Sequence, residues 1–436
     1  MGKILAGVVE VNITPPPVGT PLAGYGARRD GVGPSEGIHD ELYAKALVLS
    51  DGEQKVAIVT TDLIGIDLEL TNSIRDLAEK ETGIMKSNIL IVASHTHSGP
   101  AVKFNEMIPI SNTYKREIEN YRYTLRRKIA SAIYAANKNL RNARIGVGKG
   151  EVFTIGANRR DPKGPMDPEV GVLRVDDERG NLMGVLVNYA CHPTVMGADN
   201  LLISADFPGY AMNLVERVKG EGVIALFTNG AKGNISTRFT RREQTFREVE
   251  RFGTILGAEV LKVLEQITTT SQAILKATIE KIALPFRKLP TLDEARRMVK
   301  ESKQELEKLR KEGAPHPYVR VAETTLQGAE GTLRLVKKSK GDRLVSEIQV
   351  IRINDAALVG VPVELFVEIG LEIKNKSGLK NAYIVGLAND YVGYVVTREA
   401  YEEGMYESLS TRLSPAGGEI ILDTALKLIA KTMSLE

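Results

Sequence analysis

The chain has 436 residues and a mass of 47.6 kDa, which is long enough to bury a sizeable core. Hydrophobic residues make up 43% and charged residues 26%, as in an ordinary globular protein, and the net charge of +3 is too small to indicate binding to nucleic acid or to an anionic membrane. The single cysteine, Cys191, excludes an internal disulfide.

The first 270 residues alternate short apolar runs with helical patterns, which is typical of a layered α/β domain. Residues 56–61 predict a strand, 70–81 a helix and 89–93 the next strand, which together form a βαβ unit. Open α/β sheets usually bind their ligands at the carboxyl ends of such strands. Further strands are predicted at 172–175, 183–190 and 223–227.

Residues 291–340 differ in character from the rest of the chain. Two charge-rich helical patterns, 292–311 and 319–338, are joined by a segment with glycine and prolines, which predicts a helical hairpin inserted in the fold. The α/β pattern then returns at 348–353, 357–361 and 382–386, and a closing helix is predicted at 419–432. We therefore predict an α/β fold with a layered mixed β-sheet core flanked by helices, and a single domain spanning 1–436.

Two histidines directly follow the predicted strand at 89–93. Residues two apart in an extended segment point the same way, so His95 and His97 can converge on one metal ion. His192 and Glu364 also directly follow apolar runs. The His-x-His-x-Asp-His pattern of metallo-β-lactamase-like hydrolases is not met, and the five histidines of the chain are too few for an amidohydrolase barrel.

Each of these residues also has a structural interpretation when it is taken alone. A glutamate such as Glu364 often stabilises the first turn of a helix, and His192 could be a hydrogen-bonded core residue. The evidence for a site is the joint occurrence of several motifs along nearly the whole chain. These are Gly24-Tyr25-Gly26, His95-Thr96-His97-Ser98-Gly99-Pro100, His192-Pro193-Thr194, Ser204-Ala205-Asp206-Phe207-Pro208-Gly209-Tyr210-Ala211, Gly233-Asn234-Ile235-Ser236, Pro362-Val363-Glu364 and the segment from Tyr394 to Tyr406.

In this combination the chain resembles the catalytic domain of neutral ceramidases, zinc amidases that cleave the N-acyl bond of ceramide. The resemblance implies Zn²⁺ as the cofactor. It implies that the ion is bound by His95, His192, Glu364 and Tyr394. It also implies that the catalytic groups are His97, Arg159, Ser236 and Tyr406.

The reaction that the resemblance implies is attack of a zinc-bound hydroxide on the carbon of an N-acyl amide, releasing a fatty acid and an amine. In that reaction Arg159 or Tyr406 would stabilise the charge on the carbonyl oxygen, and His97 would handle the proton passed to the leaving nitrogen. Ser236 is interpreted as a positioning residue, with a nucleophilic role left open. The substrate is expected to be ceramide-like or another N-acylated lipid or amine.

Three departures from the family pattern bear on the substrate. The usual Gly-Asp-Val-Ser-Pro-Asn segment appears here as Gly233-Asn234-Ile235-Ser236-Thr237-Arg238, and neither a signal peptide nor an immunoglobulin-like C-terminal domain is recognised. We therefore expect a cytoplasmic protein without a transmembrane segment that can form a homo-oligomer. The abundance of Lys, Arg and Glu and the lack of Trp are typical of a thermophilic source.

Two other functions remain open from the sequence. One is a different zinc hydrolase, a peptidase or an esterase, that acts on a small polar substrate. The other is a non-catalytic protein that contains zinc and acts through the 291–340 hairpin as an interaction module. A structural zinc site would be closed by four protein ligands, whereas a catalytic one keeps a position for solvent.

Overall fold

The computed structural model of the protein describes residues 2–26, 28, 33–102, 111–338 and 341–434. Its strands are β1 (Gly2–Lys3), β2 (Leu5–Asn12), β3 (Val18–Pro21), β4 (Pro34–Ile38), β5 (Tyr43–Ser50), β6 (Lys55–Thr61), β7 (Ile89–Ala93), β8 (Arg141–Glu151), β9 (Ala157–Asn158), β10 (Glu169–Asp177), β11 (Leu182–Tyr189), β12 (Leu202–Ile203), β13 (Ile224–Asn229), β14 (Ile235–Ser236), β15 (Gln272–Ala273), β16 (Leu275–Pro285), β17 (Arg343–Ile353), β18 (Ala356–Val361), β19 (Glu364–Leu365), β20 (Asn381–Gly386) and β21 (Tyr394–Val395). Its α-helices are α1 (Leu68–Thr82), α2 (Asn112–Lys138), α3 (Asp206–Lys219), α4 (Phe246–Leu264), α5 (Leu292–Lys311), α6 (His316–Lys338), α7 (Val367–Lys376), α8 (Arg398–Glu403), α9 (Tyr406–Ser410) and α10 (Ala416–Met433).

Two mixed β-sheets form the centre of the fold. Within the described residues the larger sheet has eight strands in the order β13-β11-β10-β8-β2-β5-β6-β7, and the smaller has four in the order β16-β17-β18-β20. The pairs β6–β7 and β11–β13 are parallel, and the other neighbours in the larger sheet are antiparallel. The predicted βαβ unit is therefore present as β6, α1 and β7.

The two sheets pack face to face, and helices cover their outer faces. Alternate residues of a strand point to opposite faces, so Leu47 of β5 packs in one core with Leu358 and Tyr383 of the smaller sheet. Its neighbour Ala46 packs instead in the core formed with α1 and α2. Helices α3 and α4 cover the rest of the larger sheet, and α7 and α10 cover the smaller one. The prediction of a layered mixed sheet flanked by helices is confirmed.

Local sequence signals explain where the helices begin and end. Asp67 caps α1 by accepting a hydrogen bond from the backbone N–H of Leu70, and Gly83 ends the helix in the left-handed conformation. Thr291 and Glu294 form a reciprocal capping box at the start of α5. Among the described helices, none is both long and apolar enough to cross a membrane.

The predicted charged hairpin is formed by α5 and α6, and it supports the short helix α9. Helix α6 begins at His316, three residues before the predicted start, because a proline such as Pro317 is well accommodated in a first helical turn. The Thr332 hydroxyl donates a hydrogen bond of 2.7 Å to the carbonyl of Leu409. A Cβ atom at Gly328 would lie 2.8 Å from Cβ of Leu409, so the two helices are in close contact. The hairpin therefore holds the helix that begins at Tyr406.

Candidate metal centre and active site

The ends of three strands of the larger sheet are joined by one buried side chain, Asn229 at the end of β13. Its Nδ2 donates to the carbonyl of Ser94, after β7, and to the carbonyl of Cys191, after β11, each over 2.9 Å. Its Oδ1 accepts the backbone N–H of Cys191 over 3.2 Å. Ser94 and Cys191 directly precede His95 and His192. One amide therefore brings together the segments that carry both histidines, although β7 and β13 are opposite edge strands of the sheet.

The rings of His95 and His192 are oriented by backbone carbonyls. Nδ1 of His95 is 2.6 Å from the carbonyl oxygen of Ile64, and Nδ1 of His192 is 2.9 Å from that of Ile235. A carbonyl oxygen only accepts hydrogen bonds, so both Nδ1 atoms carry the proton. Both imidazoles are fully buried, and burial lowers their pKa below the ordinary value. Each neutral ring then has its lone pair on Nε2, as in a histidine that binds a metal ion.

Glu364 lies against both of these lone pairs. Its Oε2 is 2.8 Å from Nε2 of His192 and 3.1 Å from Nε2 of His95, and its Oε1 accepts a hydrogen bond of 3.0 Å from the hydroxyl of Tyr391. Burial raises the pKa of Glu364, but its contacts with His95 and His192, followed by the charge of Lys232, outweigh it and hold the pKa well below its ordinary value. An ionised oxygen and two lone pairs at these distances repel each other unless a cation lies among them. This donor set therefore fits a metal ion.

His97 is the third histidine of the cluster. The nitrogen atoms that His95, His97 and His192 offer lie within 4.8 Å of one another, a spacing that could hold a metal ion. Among the described residues, neither ring nitrogen of His97 has a hydrogen-bond partner. Burial, followed by the proximity of the other two histidines, holds the pKa of His97 well below its ordinary value. His97 is thus a neutral base whose ring can contact either the ion or a substrate.

The His95 and His97 segment is also fixed by its backbone. His95 has a φ of 72°, in the left-handed region that few residues other than glycine adopt. Its N–H donates to the carbonyl of Leu63, which holds this conformation. A Cβ atom at Gly24 would lie 2.8 Å from three atoms of His97, so only glycine leaves room for this ring. Strained backbone of this kind is concentrated at functional sites.

Arg159, Tyr394, Tyr406 and Glu407 form a second cluster beside the histidines. Nε of Arg159 is 2.7 Å from Oε1 of Glu407, and its NH2 donates to the hydroxyl of Tyr394 over 3.1 Å. The rings of Tyr394 and Tyr406 have centroids 5.8 Å apart, and that of Tyr394 is 6.4 Å from the His192 ring. Burial raises the pKa of both tyrosines, so both hydroxyls are protonated donors. Tyr394 also pairs with Glu364 in the short ladder of β19 and β21.

Ser236 is positioned by its pairing with the His192 segment. The two residues form a parallel β-bridge, and the N–H of His192 donates to the carbonyl of Ile235. On its other side Ser236 pairs with Ala157, which precedes Arg159 by two residues. The serine is therefore buried between the histidines and the Arg159 cluster. The structure brings all eight predicted site residues into one region.

Three residues of this region were missed from the sequence. Asn229 lies in the glycine-rich stretch after the predicted strand at 223–227, and Tyr391 precedes the recognised Tyr394 segment. Lys232 is fully buried, and its Nζ has no hydrogen-bond partner among the described residues. Burial lowers its pKa to about 8, against the opposing effect of Glu364. Cys191 is buried and free.

Comparison with known proteins identifies the family. The family model described as "Neutral/alkaline non-lysosomal ceramidase, N-terminal" matches residues 4–245, more than half of the chain. The chain belongs to this family. It is therefore a hydrolase of amide bonds, as the motifs predicted.

Individual relatives agree with this assignment. Neutral ceramidase of Pseudomonas aeruginosa is 25% identical over 90% of this chain and 68% of its own length. Neutral ceramidase A of Dictyostelium discoideum is 31% identical over 52% of this chain, but this chain spans only about a third (34%) of that relative. The crystal structure of the Pseudomonas neutral ceramidase superposes with a TM-score of 0.76, at 22% identity, over 99% of this chain and 75% of that one. This shows that the two proteins share the fold.

We expect Asn229→Ala to weaken binding of a divalent transition-metal ion by roughly 10- to 100-fold, the usual effect of losing a group that orients metal ligands. The buried carbonyls of Ser94 and Cys191 would lose their shared donor, so the histidine segments would separate. Isothermal titration of the metal-free protein measures the affinity. Asn188→Ala is the matched control, since it removes another buried amide that bonds to Thr228 and Ile384 and to neither Ser94 nor Cys191. Equal weakening in both variants would contradict the proposed role.

Glu407→Gln is expected to lower the free energy of unfolding at pH 7 by about 3–5 kcal/mol, because it leaves the charge of Arg159 buried without its anion. Glu403→Gln is the control, since its carboxylate is 60% exposed and contacts only Arg160; we expect a loss of at most about 1 kcal/mol there. Urea unfolding measures both values.

The same pair gives a pH dependence. Burial raises the pKa of Glu407, but the charges of Arg159 and Arg160 outweigh it, so the folded pKa lies below the ordinary value. The stabilisation is therefore fully present above the ordinary pKa of about 4.3 and is lost as the pH falls through the lower folded value. The stability difference between wild type and Glu407→Gln should shrink in acid. A difference that stays constant from pH 7 to pH 3 would show that the pair does not supply it.

Proposed function

We propose that the chain is a zinc-dependent amidase that hydrolyses an N-acyl amide, ceramide-like or another N-acylated lipid or amine, to a fatty acid and an amine. The observation that carries the proposal is the convergence of the Nε2 atoms of His95 and His192 on one oxygen of Glu364. Two imidazoles and a carboxylate are a preferred ligand set for catalytic zinc. We assign these three residues and Tyr394 as the ligands.

When bound, zinc would lower the pKa of water from about 15.7 toward about 7 and so supply hydroxide at neutral pH. The other roles belong to residues of this chain. His97 has a neutral ring with two free nitrogens, which suits it to take up a proton and return it to the leaving nitrogen. Arg159 and the Tyr406 hydroxyl would donate to the carbonyl oxygen as its negative charge grows.

Ser236 would position the substrate in this scheme. Its backbone pairs with His192 and Ala157, so its hydroxyl has a fixed place between the two clusters. Zinc supplies an activated water, and no general base is placed on the serine by a hydrogen bond in the structure. We therefore propose that Ser236 orients the amide and does not become acylated.

A second candidate keeps the same ligands but acts on a small polar amide or ester. The observation that favours it is the number of arginines near His97, Arg28 and Arg241 among them, which would suit a polar substrate better than an extended apolar chain. Activity on N-acetyl amino acids or short esters, with none on long-chain N-acyl amides, would select this candidate.

The test measures zinc content and acid release from a panel of N-acyl amides, including ceramide, in wild type and three variants. We expect about one zinc per chain in the wild type, loss of zinc and activity in His95→Ala, and retention of zinc with a fall in rate of about 100-fold or more in Ser236→Ala. His316→Ala is the control, since this histidine is exposed at the start of α6. A wild type that holds zinc yet releases no acid from any amide would refute the proposal.

A further inference from the structure

The proposed catalytic groups are flanked by arginines that have no carboxylate partner among the described residues. The guanidinium of Arg28 donates to the carbonyls of Ala23, His97 and Asn200. That of Arg241 donates to the carbonyl of Thr194 and the hydroxyl of Thr237. The chain as a whole is nearly balanced, with 58 basic and 55 acidic residues, so this excess of positive charge is local.

Arg28 and Tyr25 lie beside His97. The Tyr25 ring lies 4.8 Å from the His97 ring, and the guanidinium of Arg28 lies 5.0 Å from the centre of the Tyr25 ring. The charges of Arg241 and Arg320 also act on the Tyr25 hydroxyl. Arg320 comes from α6 of the hairpin, where it pairs with Glu323.

Arg238 is the member of this group with the fewest contacts. Its backbone N–H donates to the hydroxyl of Ser236 over 3.3 Å, which fixes it two residues beyond the proposed positioning serine. Its guanidinium forms no hydrogen bond or ion pair with another described residue. Burial, followed by repulsion from Arg159, lowers its pKa to about 9, and Arg320 and Arg241 add to the repulsion. The positive charge of Arg238 therefore lies near the Arg159 cluster on one side and near Arg241 and Arg320 on the other.

The Arg238 side chain is only partly buried, and its unpaired guanidinium, which lies among like charges, gains electrostatic stabilisation when an anion joins it. Two contacts fix the backbone directly after Arg238. Phe239 packs against Tyr318 of the hairpin with ring centroids 6.0 Å apart, and Thr240 donates to the carbonyl of Ile155. Arginine binds carboxylates through two parallel hydrogen bonds, and arginine clusters are typical of sites for such anions. A negatively charged group on the substrate would therefore pair with the guanidinium of Arg238.

We propose that the substrate carries an anionic group near the scissile amide, as an N-acylated amino acid does, and that Arg238 binds this group and selects for it. This inference rests on the proposed function and narrows its substrate class. Arg28 and Arg241 contribute to the positive potential, but each already donates hydrogen bonds to backbone carbonyls, whereas the Arg238 guanidinium donates to no described residue. Arg238 is therefore the specificity-determining residue.

The test compares N-lauroylglycine with its neutral analogue N-lauroylethanolamine, and adds the phosphate ester of the latter to distinguish a carboxylate from a phosphate. We expect the wild type to prefer N-lauroylglycine in kcat/KM by about 10- to 100-fold, the value of one or two hydrogen bonds to a charged group. Arg238→Gln should remove this preference by raising KM for N-lauroylglycine. Arg238→Lys should keep part of it, and the exposed Arg242→Gln should keep all of it.

The outcomes separate the two proposals. Equal kcat/KM for the charged and neutral amides in the wild type, or a preference that survives in Arg238→Gln, would overturn this inference and leave the amidase proposal standing. A preference for the phosphate ester over N-lauroylglycine would overturn the carboxylate assignment. No hydrolysis of any of the three amides or of ceramide would refute the proposed function, and this inference with it.

Discussion

The site depends on the three hydrogen bonds of Asn229. The sheet delivers its two histidine segments from strands that are far apart in sheet order, β7 at one edge and β11 next to the other. Only a group that donates twice and accepts once can bridge both segments at the residue before each histidine. Because the bridge is buried, its loss would leave unpaired carbonyls in a dry environment, and this penalty keeps the histidines together.

The charges in the site follow from this placement. Both Nδ1 atoms are bonded to backbone carbonyls, so the Nε2 atoms of His95 and His192 both face one oxygen of Glu364. Burial keeps the rings neutral, so the arrangement calls for a cation that the protein itself does not supply at that point. The Arg159 cluster is different, since Glu407 neutralises it, and its hydroxyl and guanidinium donors remain available for a developing oxyanion. The site therefore has one region that suits a cation, around Glu364, and another that suits a developing negative charge, around Arg159.

Much of the site could be predicted from the sequence because its residues follow apolar runs. His95, His192 and Glu364 lie just beyond apolar strands, and α/β sheets usually bind their ligands at the carboxyl ends of strands. The packing of the second sheet on the first could not be predicted, since alternation shows that a strand is buried but not which face meets which sheet. Asn229, Tyr391 and Lys232 were missed for a related reason: their roles come from contacts between segments distant in the chain. The Thr237-Arg238 departure from the family pattern could be read from the sequence, but only the structure relates it to other charges.

The most direct measurement of the central claim is anomalous X-ray diffraction at the zinc absorption edge from crystals of the zinc-loaded protein. We expect one strong peak about 2.0–2.2 Å from Nε2 of His95, from Nε2 of His192 and from an oxygen of Glu364, the distances typical of zinc bound by these ligands. A peak at another place, or no peak here at full zinc occupancy, would contradict the assignment of this cluster as the metal centre.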